Sequence, residues 1–97
     1  MIQSFGDRET ELIWARRVSR KLPRDIQRVA LRKLYVIHRS RNLNDLRVPP
    51  ANHLEKLKGS RVGQHSIRIN DQWRVCFRWA GTDAYDVEIV DYHQEHP

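Results

Sequence analysis

The residues best equipped for chemistry lie in the second half of the chain. Asp91, Tyr92 and His93 are consecutive, and Arg68 and Arg74 precede them on either side of a polar turn. Lys56, Lys58, Arg61 and Arg78 lie close by in sequence. Cutting RNA without a metal requires three things: deprotonating a ribose 2′-OH, steadying extra charge on the phosphate, and protonating the leaving 5′-oxygen. An imidazole performs either proton step near neutral pH, and a guanidinium steadies the charge. Tyr92 is suited to stacking on a base or donating a proton, and Asp91 to orienting an imidazole. An isolated Asp-Tyr-His tripeptide is a weak signal, because strands commonly end on exposed polar groups. The surrounding cations give it weight.

Those cations are unevenly distributed. Seventeen Lys/Arg stand against four acids between Trp14 and Arg78, and the last 19 residues hold five acids with no Lys or Arg. Fourteen of the 18 basic residues are Arg, whose planar fork matches phosphate better than the point charge of Lys. A basic segment on so small a body repels itself unless a polyanion relieves it, which points to nucleic acid. Solubility alone would favour mixed signs.

The histidines divide. His65 opens an alternating apolar segment and reads as a packed or capping residue. His53, just before the basic segment, is left open as an RNA contact. His93 and His96 have a loosely ligand-like spacing, but no helix is expected there to hold both rings on one face, so neither a metal nor another cofactor is expected. No phosphate-binding loop, dinucleotide fingerprint or zinc-finger spacing occurs.

These groups need a scaffold. Ile2 to Phe5 reads as a short strand, and Asp7 or Arg8 to about Arg20 as a first helix, acidic at its start and basic at its end. Pro23 opens a second helix, in which Ile26, Val29, Ala30, Leu34 and Ile37 form one apolar stripe with Arg24, Arg28, Arg32 and Arg39 largely off it. Asn42 to Asn52, with Pro49-Pro50 inside it, is a loop.

The period then changes to two. Leu54 to Leu57 is a brief strand, and His65, Ile67 and Ile69 alternate with polar residues. The turn Asn70-Asp71-Gln72 leads into Trp73, Val75, Phe77 and Trp79, and a last strand runs from Val87 to Tyr92. The layout is α+β: two N-terminal helices packed on one face of a small, mostly antiparallel sheet. Register then puts Arg68, Arg74 and Arg78 on the opposite face, which is expected to be open.

Ninety-seven residues make a single domain, 1–97, with one core. No apolar run approaches the ~18 residues of a membrane helix. The opening residues do not read as a secretory signal. Cys76, the only cysteine, lies in an apolar run and reads as a buried packing thiol in a reducing cytoplasm.

The run LRVPPANHLEKLKGSRVGQHSIRINDQWRVCFRW, followed by VEIVDYH, resembles the HigB-type toxins of the RelE/ParE superfamily. The likeness covers nearly the whole chain in order, and the second half carries the specific motifs. It implies a RelE-like α+β domain acting as the toxin of a type II toxin–antitoxin pair. The activity implied is metal-independent cleavage of translated mRNA in the ribosomal A site, which inhibits translation. The implied partner is a HigA-type helix-turn-helix antitoxin, through which alone operator DNA would be met. By the same resemblance Asp91, Tyr92 and His93 match the terminal catalytic motif, and Arg68 and Arg74 the arginines that bind or stabilise phosphate. Lys56, Lys58 and Arg61 match the basic approach to RNA, whereas relatives vary at His53. The superfamily also contains ParE-like proteins that poison gyrase and cut nothing. A non-cutting RNA- or ribosome-binding module is a further alternative.

Overall fold

In the second helix, α2 (Arg24–Arg39), Ile26, Ala30, Leu34 and Ile37 are buried on one stripe, whereas Arg24, Arg28, Arg32 and Arg39 face solvent. The helix ends where the Ser40 hydroxyl turns back to donate to the Val36 carbonyl at 2.6 Å. The structure, a computed structural model, describes residues 1–92.

The first helix, α1 (Arg8–Trp14), is shorter than its sequence suggests. Asp7 caps it, accepting from the Thr10 N–H at 3.0 Å. The expected extension to Arg20 fails because Ala15, Arg16, Arg17 and Val18 are all exposed and offer the core nothing. Arg16 adopts a left-handed conformation (φ 62°), and the Arg17 N–H closes the helix on the Leu12 carbonyl at 2.8 Å. Ser19 is buried in the connection, its hydroxyl donating to Glu9 at 2.6 Å and accepting from the Leu22 N–H at 3.1 Å.

Four strands form one antiparallel sheet in chain order: β1 (Glu55–Lys56), β2 (His65–Arg68), β3 (Trp73–Ala80) and β4 (Asp83–Asp91). Residues 2–5 make no regular strand. They run parallel to β4 through isolated bridges, Ile2 to Ala84 and Phe5 to Val87. The β2–β3 turn is held by the Asn70 side chain, which accepts from the Gln72 and Trp73 N–H groups.

Strand alternation then sorts the sheet. Ile67, Val75, Phe77, Val87 and Ile89 pack with Ile13, Ile26, Ala30, Leu34 and Ile37 in the main core. His65 belongs to this side, stacked on Phe77 with centroids 6.4 Å apart. The far side is less open than register alone suggested. Leu57, Cys76 and Val90 form a second cluster there, with Tyr92 packed against it, and Cys76 is a fully buried thiol. No helix among the described residues is long and apolar enough to cross a membrane.

Candidate active site

The site is built outward from a buried asparagine. The 42–52 connection folds into two short 3-10 turns, Leu43–Arg47 and Pro50–Asn52. Asn52 is fully buried and donates to the carbonyls of Leu46 (3.2 Å) and Val48 (3.3 Å). Its amide oxygen accepts from Lys33 Nζ of α2 at 2.6 Å. The core helix thus fixes the residue that precedes His53. His53 takes a left-handed backbone conformation (φ 44°, ψ 58°) that turns the chain into β1, and its side chain is exposed.

Arg74 occupies the centre. It is 5% exposed, which corrects the expectation of an open-face arginine. The strands supply cover and acceptors that sequence periodicity does not reveal. Its Nε donates to Ser66 Oγ at 2.7 Å, and Nη2 donates to the His53 carbonyl and, at 3.4 Å, to the Ser66 carbonyl. Nη1 lies 3.6 Å from Glu55 Oε1. The guanidinium carbon sits 5.2 Å from the centroid of the Tyr92 ring. Burial pulls the Arg74 pKa down, opposed chiefly by the charge of Glu55. The phenol of Tyr92 donates to Glu55 Oε2 at 2.9 Å. Its pKa is raised by burial first and then by that hydrogen bond, so Tyr92 holds its proton.

Arg68 lies directly across the β2–β3 pair from Arg74 and is paired with Asp71 of the turn. Asp91 stands opposite Trp73 in register and accepts from the Gln72 side chain at 2.8 Å. Because Tyr92 is the next residue, strand alternation sends the two side chains to opposite faces. His93 lies outside the described residues.

The remaining basic residues do not join one uniform stripe. Lys56 stands opposite His65, on the helix side of the sheet edge, and Lys58 is exposed beside the 3-10 turn Gly59–Arg61. Arg61 pairs with Glu88 at 3.1 Å and Arg78 with Asp86 at 3.4 Å. The acids of β4 thus temper that end of the far face, as Asp71 and Glu55 temper the end that holds Arg68 and Arg74.

Of the catalytic group expected from the sequence, the fold brings Arg68, Arg74 and Tyr92 together, joined by the His53 carbonyl, and sets Asp91 on the other face beside Trp73. Glu55, Ser66 and Gln72 are partners that the sequence did not single out. Glu55 carried one usable signal. In a period-two reading of Leu54 to Leu57 it falls opposite Ser66 on the far face, as the observed register shows. Among the described residues no His, Cys, Asp and Glu grouping could hold a metal ion.

Two helices against a four-stranded antiparallel sheet in this order make a RelE-like fold. A crystal structure of YafQ from E. coli has it, with TM-score 0.60 and 12% identity, covering 100% of this chain and 98% of that one, a likeness of fold alone. The chain belongs to the HigB-like toxins: the family described as RelE-like toxin of type II toxin–antitoxin system HigB matches residues 4–93. Toxin HigB-1 of Vibrio cholerae is 40% identical over 75 residues, 77% of this chain and 78% of that protein. Endoribonuclease HigB of Proteus vulgaris is 32% identical over 94 residues, 96% of this chain and 100% of the relative. The protein is thus a HigB-like toxin with endoribonuclease homologues, and membership in such a family implies an antitoxin partner.

Proposed function

We propose that this toxin is a single-domain, cytoplasmic endoribonuclease that cuts translated mRNA in the A site of the small ribosomal subunit, with side chains and no metal. The observation that carries the reading is the Arg74–Glu55–Tyr92 cluster with Arg68 beside it. It gathers two guanidinium groups, a carboxylate and a phenol at one end of the far sheet face, with Arg68 and Glu55 partly exposed and Arg74 buried beneath them. A phosphate lying there meets Arg68 first, while Arg74, held by Ser66 and the His53 carbonyl, presents fixed positive charge from below. His93 performs one of the two proton transfers, and Asp91, itself held by Gln72, is the carboxylate that orients it. Lys56, Lys58, Arg61 and Arg78 add phosphate contacts along the approach. A HigA-type helix-turn-helix antitoxin with an acidic surface restrains the toxin and alone contacts operator DNA.

Primer extension on a translated reporter mRNA tests this, run with purified toxin and repeated on the same RNA without ribosomes. New 5′ ends on translated message alone are expected. Ends on naked RNA as well would remove the ribosome dependence. No new ends in either sample, from protein that still arrests growth, would leave the non-cutting alternatives.

A further inference from the structure

We propose that Glu55 is the general base of the cleavage reaction, the group that takes the proton from the attacking ribose 2′-OH; this rests on the nuclease reading above.

Among the described residues, Asp91 and Glu55 are carboxylates close to the end of the last strand, and the fold sets them on different faces. Asp91 shares its register row with Trp73, whose ring packs against the main core, and its Oδ2 is held by Gln72 in the turn. Glu55 shares a row with Ser66 and Cys76 on the far face, where Arg74 and Tyr92 lie. Each of its oxygens is addressed by one of them: Oε2 by the Tyr92 phenol at 2.9 Å, and Oε1 by Arg74 Nη1 at 3.6 Å. The Glu55 side chain is nonetheless 44% exposed. It is therefore oriented by the protein and reachable by substrate, the two conditions a base must meet. Tyr92 keeps its proton and donates a hydrogen bond through it to Glu55, so it orients that carboxylate and is not itself the base.

The step balances. A Glu55 oxygen takes the 2′-proton, O2′ bonds to the adjacent phosphorus, and the P–O5′ bond breaks. The leaving O5′ takes a proton from a general acid or from water. The products are a 2′,3′-cyclic phosphate and a 5′-hydroxyl. As the carboxylate is neutralised, negative charge appears on the phosphate beside the same guanidinium that had faced Glu55, so Arg74 serves both states.

A purely structural Glu55 would only balance the charge of Arg74. Single-turnover cleavage of ribosome-bound mRNA separates the two roles, using full-length wild type, Glu55→Gln and Glu55→Asp across pH, with ribosome binding and thermal melting measured alongside. Glu55→Gln is expected to slow cleavage by roughly 10²–10⁴-fold, with binding and melting little changed, and to erase the acid limb of the pH–rate profile. Glu55→Asp should cleave detectably and keep that limb. Wild-type rate in Glu55→Gln, or a loss that only tracks weakened binding or folding, overturns the assignment. If Glu55→Gln does not fold, the wild-type and Glu55→Asp profiles decide, and absence of an acid limb in both overturns it. A wild-type protein that leaves translated message intact overturns the nuclease reading itself, and is seen before any variant is compared.

Discussion

The Arg74 guanidinium donates to the backbone carbonyl of His53, 21 residues earlier in the chain. One side chain thereby ties β3 to the left-handed corner where the 42–52 connection enters β1. The same group spans Ser66 and Glu55 and lies against the Tyr92 ring. Truncating it leaves the Ser66 hydroxyl, the His53 carbonyl and the Glu55 carboxylate without their cation. Arg74→Ala should therefore cost about 3 kcal/mol of unfolding free energy, as expected when one partner of a buried charged network is removed. Arg74→Lys keeps the charge but lacks the fork that reaches several acceptors at once. It should retain most of the stability and still lose most of the cleavage. Urea unfolding paired with a cleavage assay reads both, and an Arg74→Lys protein of wild-type activity would show that charge alone suffices.

Asn52 is the second point of leverage, although its side chain is fully buried. It links Lys33 of α2 to the carbonyls of Leu46 and Val48. The Lys33 pKa is lowered by burial first, then by the charges of Arg32 and Arg68, so its ammonium depends on the amide oxygen that receives it. Asn52→Ala should cost about 2–4 kcal/mol, the range for leaving buried polar groups unsatisfied. The loss should extend to cleavage, because the His53 corner that accepts from Arg74 is the next residue. A melting temperature equal to wild type would mean that the connection repacks without this link.

How far the sequence discloses such links depends on their range. The stripe of α2 and the alternation of β2 and β3 are local patterns, and both elements form where those patterns lie. The end of α1 was hidden because Arg16 takes a left-handed conformation usually given to glycine, so no residue type marks the stop. Periodicity correctly put Arg74 on the face away from the helices. It carried no information that Leu57, Cys76, Val90 and Tyr92 would gather there and help close that face. Glu55 went unnoticed for a related reason: its partner Tyr92 is 37 residues away, and only the assembled sheet makes them neighbours.

Arg68 differs from Arg74 in being partly exposed and paired with Asp71, whose carboxylate is 94% exposed. A phosphate approaching Arg68 must displace that acid. Asp71→Asn should therefore tighten binding to a single-stranded mRNA fragment several-fold at low salt, with stability changed by less than about 1 kcal/mol, since surface pairs contribute little. Arg68→Glu should weaken binding and lower the slope of log affinity against log salt by roughly 0.7 for each phosphate that the protein no longer neutralises. Fluorescence anisotropy across a salt series measures both. An Asp71→Asn protein that binds no tighter than wild type would take Arg68 out of the RNA-contacting set.

His65 gives the fold a predictable response to acid. Its ring stacks on Phe77, and its Nδ1 is buried without a hydrogen-bond partner among the described residues. Burial, followed by the charges of Lys56 and Arg47, holds its pKa below the ordinary 6.5. In the interval just below that value the unfolded chain binds a proton that the folded chain refuses. Stability therefore rises with pH across this interval, and is lost as pH falls through it. His65→Gln removes the titration, so its unfolding free energy should change less between pH 7.5 and about 5.5 than that of wild type. Denaturant unfolding at the two pH values supplies the comparison, and identical pH dependence in the two proteins would mean that the folded ring accepts a proton as readily as the unfolded one.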